Sequence, residues 1–242
     1  MIERATKIAL WLFGVAVLIL VIKTPINFDR EVFSDWSLPL SGKVIVIDPG
    51  HGGPDGGAVG KDQTQEKDIA LQVSTMIRDY LQQAGAIVYM TRETDTDLAG
   101  DHTKGLSRRK AEDIRNRMQF IEEHKPDFFL SIHLNSIPQS RWRGAQTFYY
   151  PKFDESRHLA KMIQEEIIRN LENTHRKALA INNVYLLKYA EVPSALVEIG
   201  FLSNPNEREQ LKQPDYQRKM ASSIYQGILR YVTEEPSDTV TK

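Results

Sequence analysis

The chain has 242 residues, of which 41% are hydrophobic and 26% charged, a composition that indicates a globular protein and excludes a disordered one. A formal net charge of -1 supplies no bulk attraction for nucleic acid. With no cysteine, disulfides, zinc–thiolate sites and thiol catalysis are excluded, and any metal must be held by His, Asp, Glu or water.

Arg4 and Lys7 precede an apolar run over residues 8–22, which Lys23, Thr24 and Pro25 bring to an end. A basic stretch followed by an apolar one is the layout of an export signal. The run is shorter than the ~20 residues of a comfortable membrane span. No clear A-x-A cleavage site follows it. Residues 1–26 therefore read as a signal peptide or an N-terminal membrane anchor, with the remainder exported. Residues 27–42, with Pro39 and Gly42, read as a linker, residues 43–233 as one folded domain and residues 234–242 as a polar tail.

Within the domain, strand-like and helix-like segments alternate. Residues 44–47 form a β-branched strand that stops at Asp48 and a loop, Pro49-Gly50-His51-Gly52-Gly53. By itself that pattern is equally a flexible turn and a ligand loop at a strand's carboxyl end. Residues 66–84 predict a helix with Ile69, Val73, Met76, Ile77, Tyr80, Leu81 and Ala84 on one stripe, ended by Gly85. Strands are predicted over residues 87–91, 128–134, 144–150, 184–187 and 195–199. Helices are predicted over 106–124, stopped by Pro126, over 155–173 and over 216–232. This order predicts a single three-layer α/β domain, a mostly parallel twisted sheet with helices on both faces.

Three polar residues stand where apolar ones are expected. Glu66 opens the first domain helix on its apolar stripe, an inward direction that favourable placement in the helix dipole does not explain. In Phe128-Phe129-Leu130-Ser131-Ile132-His133-Leu134-Asn135, alternation places Ser131, His133 and Asn135 on one face. Glu198 lies in Ala195-Leu196-Val197-Glu198-Ile199, where a carboxylate is costly unless paired, protonated or bound to metal. Taken singly, these are a capping acid, a core histidine and a structural ion pair. Taken together, His51, Glu66 and His133 with Glu198 are the inventory of a catalytic zinc site, three ligands and a general base. His102, His124, His158 and His175 read as surface residues.

The stretch Asp48-Pro49-Gly50-His51-Gly52-Gly53-Pro54-Asp55-Gly56-Gly57-Ala58 resembles the opening motif of the zinc-dependent N-acetylmuramoyl-L-alanine amidases, the Amidase_3 family. Further segments resemble that family in order: Glu66, Thr91-Arg92 with Asp95, Ser131-Ile132-His133-Leu134-Asn135, residues 144–150, and residues 193–204 with Glu207. The resemblance covers about residues 43–232. It implies that His51, Glu66 and His133 bind Zn2+, that Glu198 is the catalytic carboxylate, and that the substrate is peptidoglycan, cut between muramic acid and L-alanine. One departure is the Ile121-Glu122 pair after Arg117, where the family often has Ala-Asn, so no role is carried over to that helix.

An export signal plus one catalytic domain, together with Asp113-Ile114-Arg115-Asn116-Arg117, resembles the spore-cortex type within the family. That type implies action in the cell wall or forespore intermembrane space, with a separate deacetylase completing the muramic-δ-lactam. Asp48 is a candidate to orient a ligand histidine. Arg92 is a candidate either for a stem-peptide carboxylate or for a structural ion pair. Other zinc hydrolases and a non-catalytic wall-binding module are the alternative classes.

Overall fold

The computed structural model describes residues 2–23 and 38–235. The chain divides into two units, one ending at Ser37 and the other beginning at Leu38. In the first, α1 (Ile2–Lys23) presents Leu10, Trp11 and Phe13 with 66 to 70% exposure. Among the described residues, no helix is long and apolar enough to cross a membrane. Most of the predicted linker (residues 27–37) and most of the predicted tail (residues 236–242) lie outside the described residues.

The second unit contains, in chain order, β1 (Val44–Pro49), α2 (Glu66–Gln83), β2 (Ile87–Met90), α3 (Leu106–His124), β3 (Phe128–Asn135), β4 (Gln146–Tyr149), α4 (Asp154–Leu171), β5 (Leu179–Ala180), α5 (Tyr185–Tyr189), β6 (Ser194–Phe201), α6 (Pro205–Leu211) and α7 (Pro214–Thr233). The six strands form one sheet in the order β2-β1-β3-β6-β4-β5. β1, β2, β3 and β6 run parallel, β4 runs antiparallel to β6, and β5 follows β4. This is the mostly parallel α/β sheet predicted.

Strand alternation divides the core in two. Ile45 and Ile47, Leu130 and Ile132, and Ala195, Val197 and Ile199 face the larger cluster with α2, α4 and α7. Val46, Phe129 and Leu196 face a smaller cluster with Met118 and Ile121 of α3 and Leu186 and Leu187 of α5. Toward the carboxyl ends of the strands, this second face changes from apolar to polar. Val46 is followed two residues on by Asp48, Phe129 by Ser131 and then His133, and Leu196 by Glu198. The departure noted at Ile121 in α3 has a packing explanation, since Ile121 is 1% exposed in the smaller cluster.

Three sequence expectations are corrected. Residues 184–187 are not a strand. Val184 caps α5, and the edge strand is the two-residue β5. Leu186 and Leu187 are both buried in one cluster, which neighbouring residues of a strand cannot be, because they point to opposite faces. The helix α6 was not anticipated. Asn204 caps it by accepting from Glu207 N at 3.0 Å, and Pro205 supplies its first residue. His158 is buried, with its Nε2 3.0 Å from the Glu234 carbonyl beyond α7.

Candidate metal centre and active site

The parallel strands bring their carboxyl ends to one edge, where α/β sheets place ligands. His51 follows β1 directly, with φ of 62°, a left-handed backbone unusual for a non-glycine residue. Two buried arginines hold this segment. Arg117 of α3 donates to the Pro49 carbonyl at 2.7 Å and the His51 carbonyl at 2.5 Å. Arg92 donates to the carbonyls of Pro49, Gly50, Lys67 and Thr94 at 2.8 to 3.1 Å. Arg92 is thus spent on backbone carbonyls, an arrangement neither of its two candidate roles described.

Glu66, at the start of α2, is 3% exposed. Its Oε1 accepts from Leu134 N at 2.8 Å and lies 2.9 Å from His133 Nδ1. Its Oε2 accepts from Ala58 N at 2.7 Å and lies 3.2 Å from His51 Nε2. One ligand atom from each of His51, Glu66 and His133 lies within 4.8 Å of the others. Two glycines leave the space for this. A Cβ at Gly50 would stand 2.4 Å from His133 Cε1, and one at Gly57 would stand 2.5 Å from Glu66 Oε2 and 2.6 Å from His51 Cδ2.

The electrostatics of the cluster favour positive charge. Burial would raise Glu66, but the two histidines outweigh it and hold the carboxylate well below its usual range. Burial opposes charge on His133, yet Glu66 raises it to about 9, and His51 is raised in the same way. An imidazole–carboxylate–imidazole set that draws in positive charge, its donor atoms within 4.8 Å of one another, fits a zinc ion.

Glu198 sits opposite His133 in the β3–β6 register. Its Oε2 is buried and accepts no hydrogen bond from the described residues. Burial pushes this carboxyl up to about 7, with His133, Glu66 and His51 all within electrostatic reach. A cleft of about 410 Å³ joins His51, His133 and Glu198, walled by Lys110 and Ile114 of α3 and by Tyr185 of α5. The structure therefore brings together all four residues singled out from the sequence.

The hydrogen bonds of Asp48 go to neither His51 nor His133. It accepts from Thr91 Oγ1 and Ser131 Oγ at 2.7 Å and pairs with Arg117 at 2.6 Å. Those partners overcome burial and hold it at about 2. The acid that touches a histidine ring is Asp55, whose Oδ2 lies 2.8 Å from His51 Nδ1, with Lys110 2.9 Å from its other oxygen. Asp55 stands four residues after His51 in the same loop, and that spacing was the available signal. Arg117 lies four residues after Asp113 on one helix face, with which it pairs at 2.9 Å, but its reach to His51 spans 66 residues of sequence.

Comparison with known proteins gives a consistent result. Residues 45–230 match the family model described as N-acetylmuramoyl-L-alanine amidase. The chain is 54% identical over 225 residues to the germination-specific N-acetylmuramoyl-L-alanine amidase of Bacillus subtilis strain 168, covering 93% of this chain and 94% of that protein. It resembles the CwlD amidase of Clostridioides difficile, solved in complex with the GerS lipoprotein, with a TM-score of 0.78 and 40% identity over 80% of this chain and 100% of that one. It also resembles the amidase AmiC2 of Nostoc punctiforme, with a TM-score of 0.68 and 31% identity over 79% of this chain and 98% of that one. The chain belongs to the Amidase_3 family and is an N-acetylmuramoyl-L-alanine amidase.

Proposed function

We propose that the amidase is zinc-dependent and that Glu198 is its general base, acting on spore cortex. The observation that carries this reading is the buried Glu198 oxygen, which lacks a hydrogen-bond partner among the described residues, on a side chain that lines the same cleft as His51 and His133. A carboxylate without a structural partner is poorly explained by stability and well explained by proton transfer.

His51, Glu66 and His133 hold the metal in this reading. Zinc bound there supplies Lewis acidity, polarising the scissile carbonyl and lowering the pKa of a water toward about 7. Glu198 takes the proton from the water that attacks the amide carbon and delivers it to the departing amine of L-alanine. Asp55 fixes the ring orientation of His51 through Nδ1. Arg117 and Arg92 hold the loop carbonyls so that His51 keeps its unusual backbone.

The cortex assignment rests on the likeness to the germination-specific relative across nearly the whole of both chains. In this reading, removal of the stem peptide leaves a free lactyl carboxyl, on which a separate deacetylase completes the muramic-δ-lactam. Residues 1–26 act as an export signal or a membrane-contacting anchor, supported by Arg4 and Lys7 ahead of the exposed apolar face of α1, and place the domain in the cell wall or the forespore intermembrane space. Digestion of purified cortex and vegetative peptidoglycan, followed by mass spectrometry, tests the assignment. Cleavage here releases peptides with a free L-alanine amine and leaves the lactyl carboxyl on the glycan. Products cut within the peptide would assign the centre to a different zinc hydrolase.

A further inference from the structure

Peptidoglycan carries carboxylates on one stem peptide after another, and this chain has a cationic surface beside the cleft. The β3–β4 connection bears Arg141, Trp142 and Arg143, and Arg176 precedes β5. The guanidinium carbons of Arg141 and Arg176 lie 5.6 and 5.4 Å from the Trp142 ring, and that of Arg176 lies 5.2 Å from the Phe201 ring. Stacking on aromatic rings positions a guanidinium without neutralising it. Among the described residues, Arg176 donates only to neutral oxygens, Gln146 Oε1 at 3.2 Å and the Arg143 carbonyl at 3.3 Å.

Two acids are nearby. Glu207 is within electrostatic reach of Arg143 and Arg176, but it is 4% exposed and its oxygens accept from Gly144 N and Phe201 N at 2.9 Å. Glu172 shares with Arg143, His175 and Arg176 the lining of a shallow depression. Gln146 links this surface to the active site. Gln146 is the β4 register partner of Glu198 and so shares its face, and Arg176 is bonded to Gln146.

We propose that Arg141, Arg143 and Arg176 form a subsite for the carboxylates of a neighbouring stem peptide on the same glycan strand. The enzyme then holds the strand as well as the bond it cuts. This rests on the amidase reading and extends it from one bond to a polymer.

The test compares wild type with the double variant Arg141→Ala/Arg143→Ala, both exposed positions outside the catalytic set. On soluble glycan strands at low salt, KM should rise about fivefold to tenfold with kcat unchanged, the size expected for two exposed charge pairs. On a single disaccharide-peptide, both constants should be unchanged. Strands with chemically amidated stems should reduce wild type to the variant's KM, and the Arg141→Lys/Arg143→Lys variant should keep the low KM. Equal KM on strands, or equal losses on both substrates, overturns the subsite. So does a variant that loses binding only to phosphatidylglycerol vesicles, which would assign the patch to a membrane. Failure of wild type to cleave either substrate would instead sink the proposed zinc and Glu198 chemistry. Co-sedimentation with intact and amidated strands then judges the subsite separately, with the same loss expected for the variant.

Discussion

His133 and Glu198 face each other across β3 and β6 as register partners, two titratable residues at the same level of two largely apolar strands. The pairing sets the distance between the proposed ligand His133 and the proposed base Glu198 by backbone hydrogen bonds rather than by loop conformation. Immediately beyond it the register shifts, between His133 and Asn135, so the regular ladder ends where the site begins. A site held this way is rigid on the side of the base, while the His51 side depends on a loop and on the residues that clamp it.

Asp55 is the first such residue. Replacing it with Ala frees the His51 ring from its 2.8 Å contact and leaves the fold in place. Zinc affinity is expected to fall about 10- to 100-fold, as for other supporting carboxylates, measured by competition with a chromophoric chelator. Unchanged affinity would remove Asp55 from the site.

Arg117 is the second. It is 2% exposed and bridges Asp48, Asp113 and the backbone of Pro49 and His51. Arg117→Met leaves the Asp48 carboxylate buried without its cation and is expected to cost about 3–5 kcal/mol in urea unfolding. Asp48→Asn in the same background should recover part of that loss, since the uncompensated charge is then gone.

Gly50 tests the space around the ligands. Its φ is not in the left-handed region, so Gly50→Ala acts by contact, its Cβ reaching 2.4 Å from His133 Cε1. The variant should fold and lose zinc stoichiometry by metal analysis. Full zinc occupancy would show that His133 can move aside at no cost to the site.

Much of this was readable beforehand, for physical reasons. β-branched runs ending at glycine mark buried parallel strands, and period-two alternation by itself puts Ser131 and His133 on one face. Glu198 was conspicuous because a charge in an apolar strand needs a reason. What could not be read was the partner of each polar group. Asp48 stood nearest to the motif histidine, yet it pairs with Arg117, 69 residues away. The short helix α5 was misread as a strand because five residues are too few to show a period. His158 was misplaced because the contact that buries it comes from the end of α7.

Glu198 also predicts a pH dependence in chelated protein. Its folded value of about 7 lies above its ordinary 4.5, so wild type loses stability as pH rises from 4.5 through 7. Glu198→Gln lacks that loss. The stability difference in favour of the variant should grow by about 3 kcal/mol between pH 4.5 and pH 8, and zinc, which favours the charged carboxylate, should shrink it. Denaturant unfolding in EDTA at both pH values measures it.

The most direct measurement is made on Glu198→Gln loaded with zinc. Metal analysis and circular dichroism should match wild type, while release of stem peptides from muropeptides falls by at least about a thousandfold, as befits loss of a general base. A variant that keeps its zinc and cleaves at the wild-type rate would contradict the account.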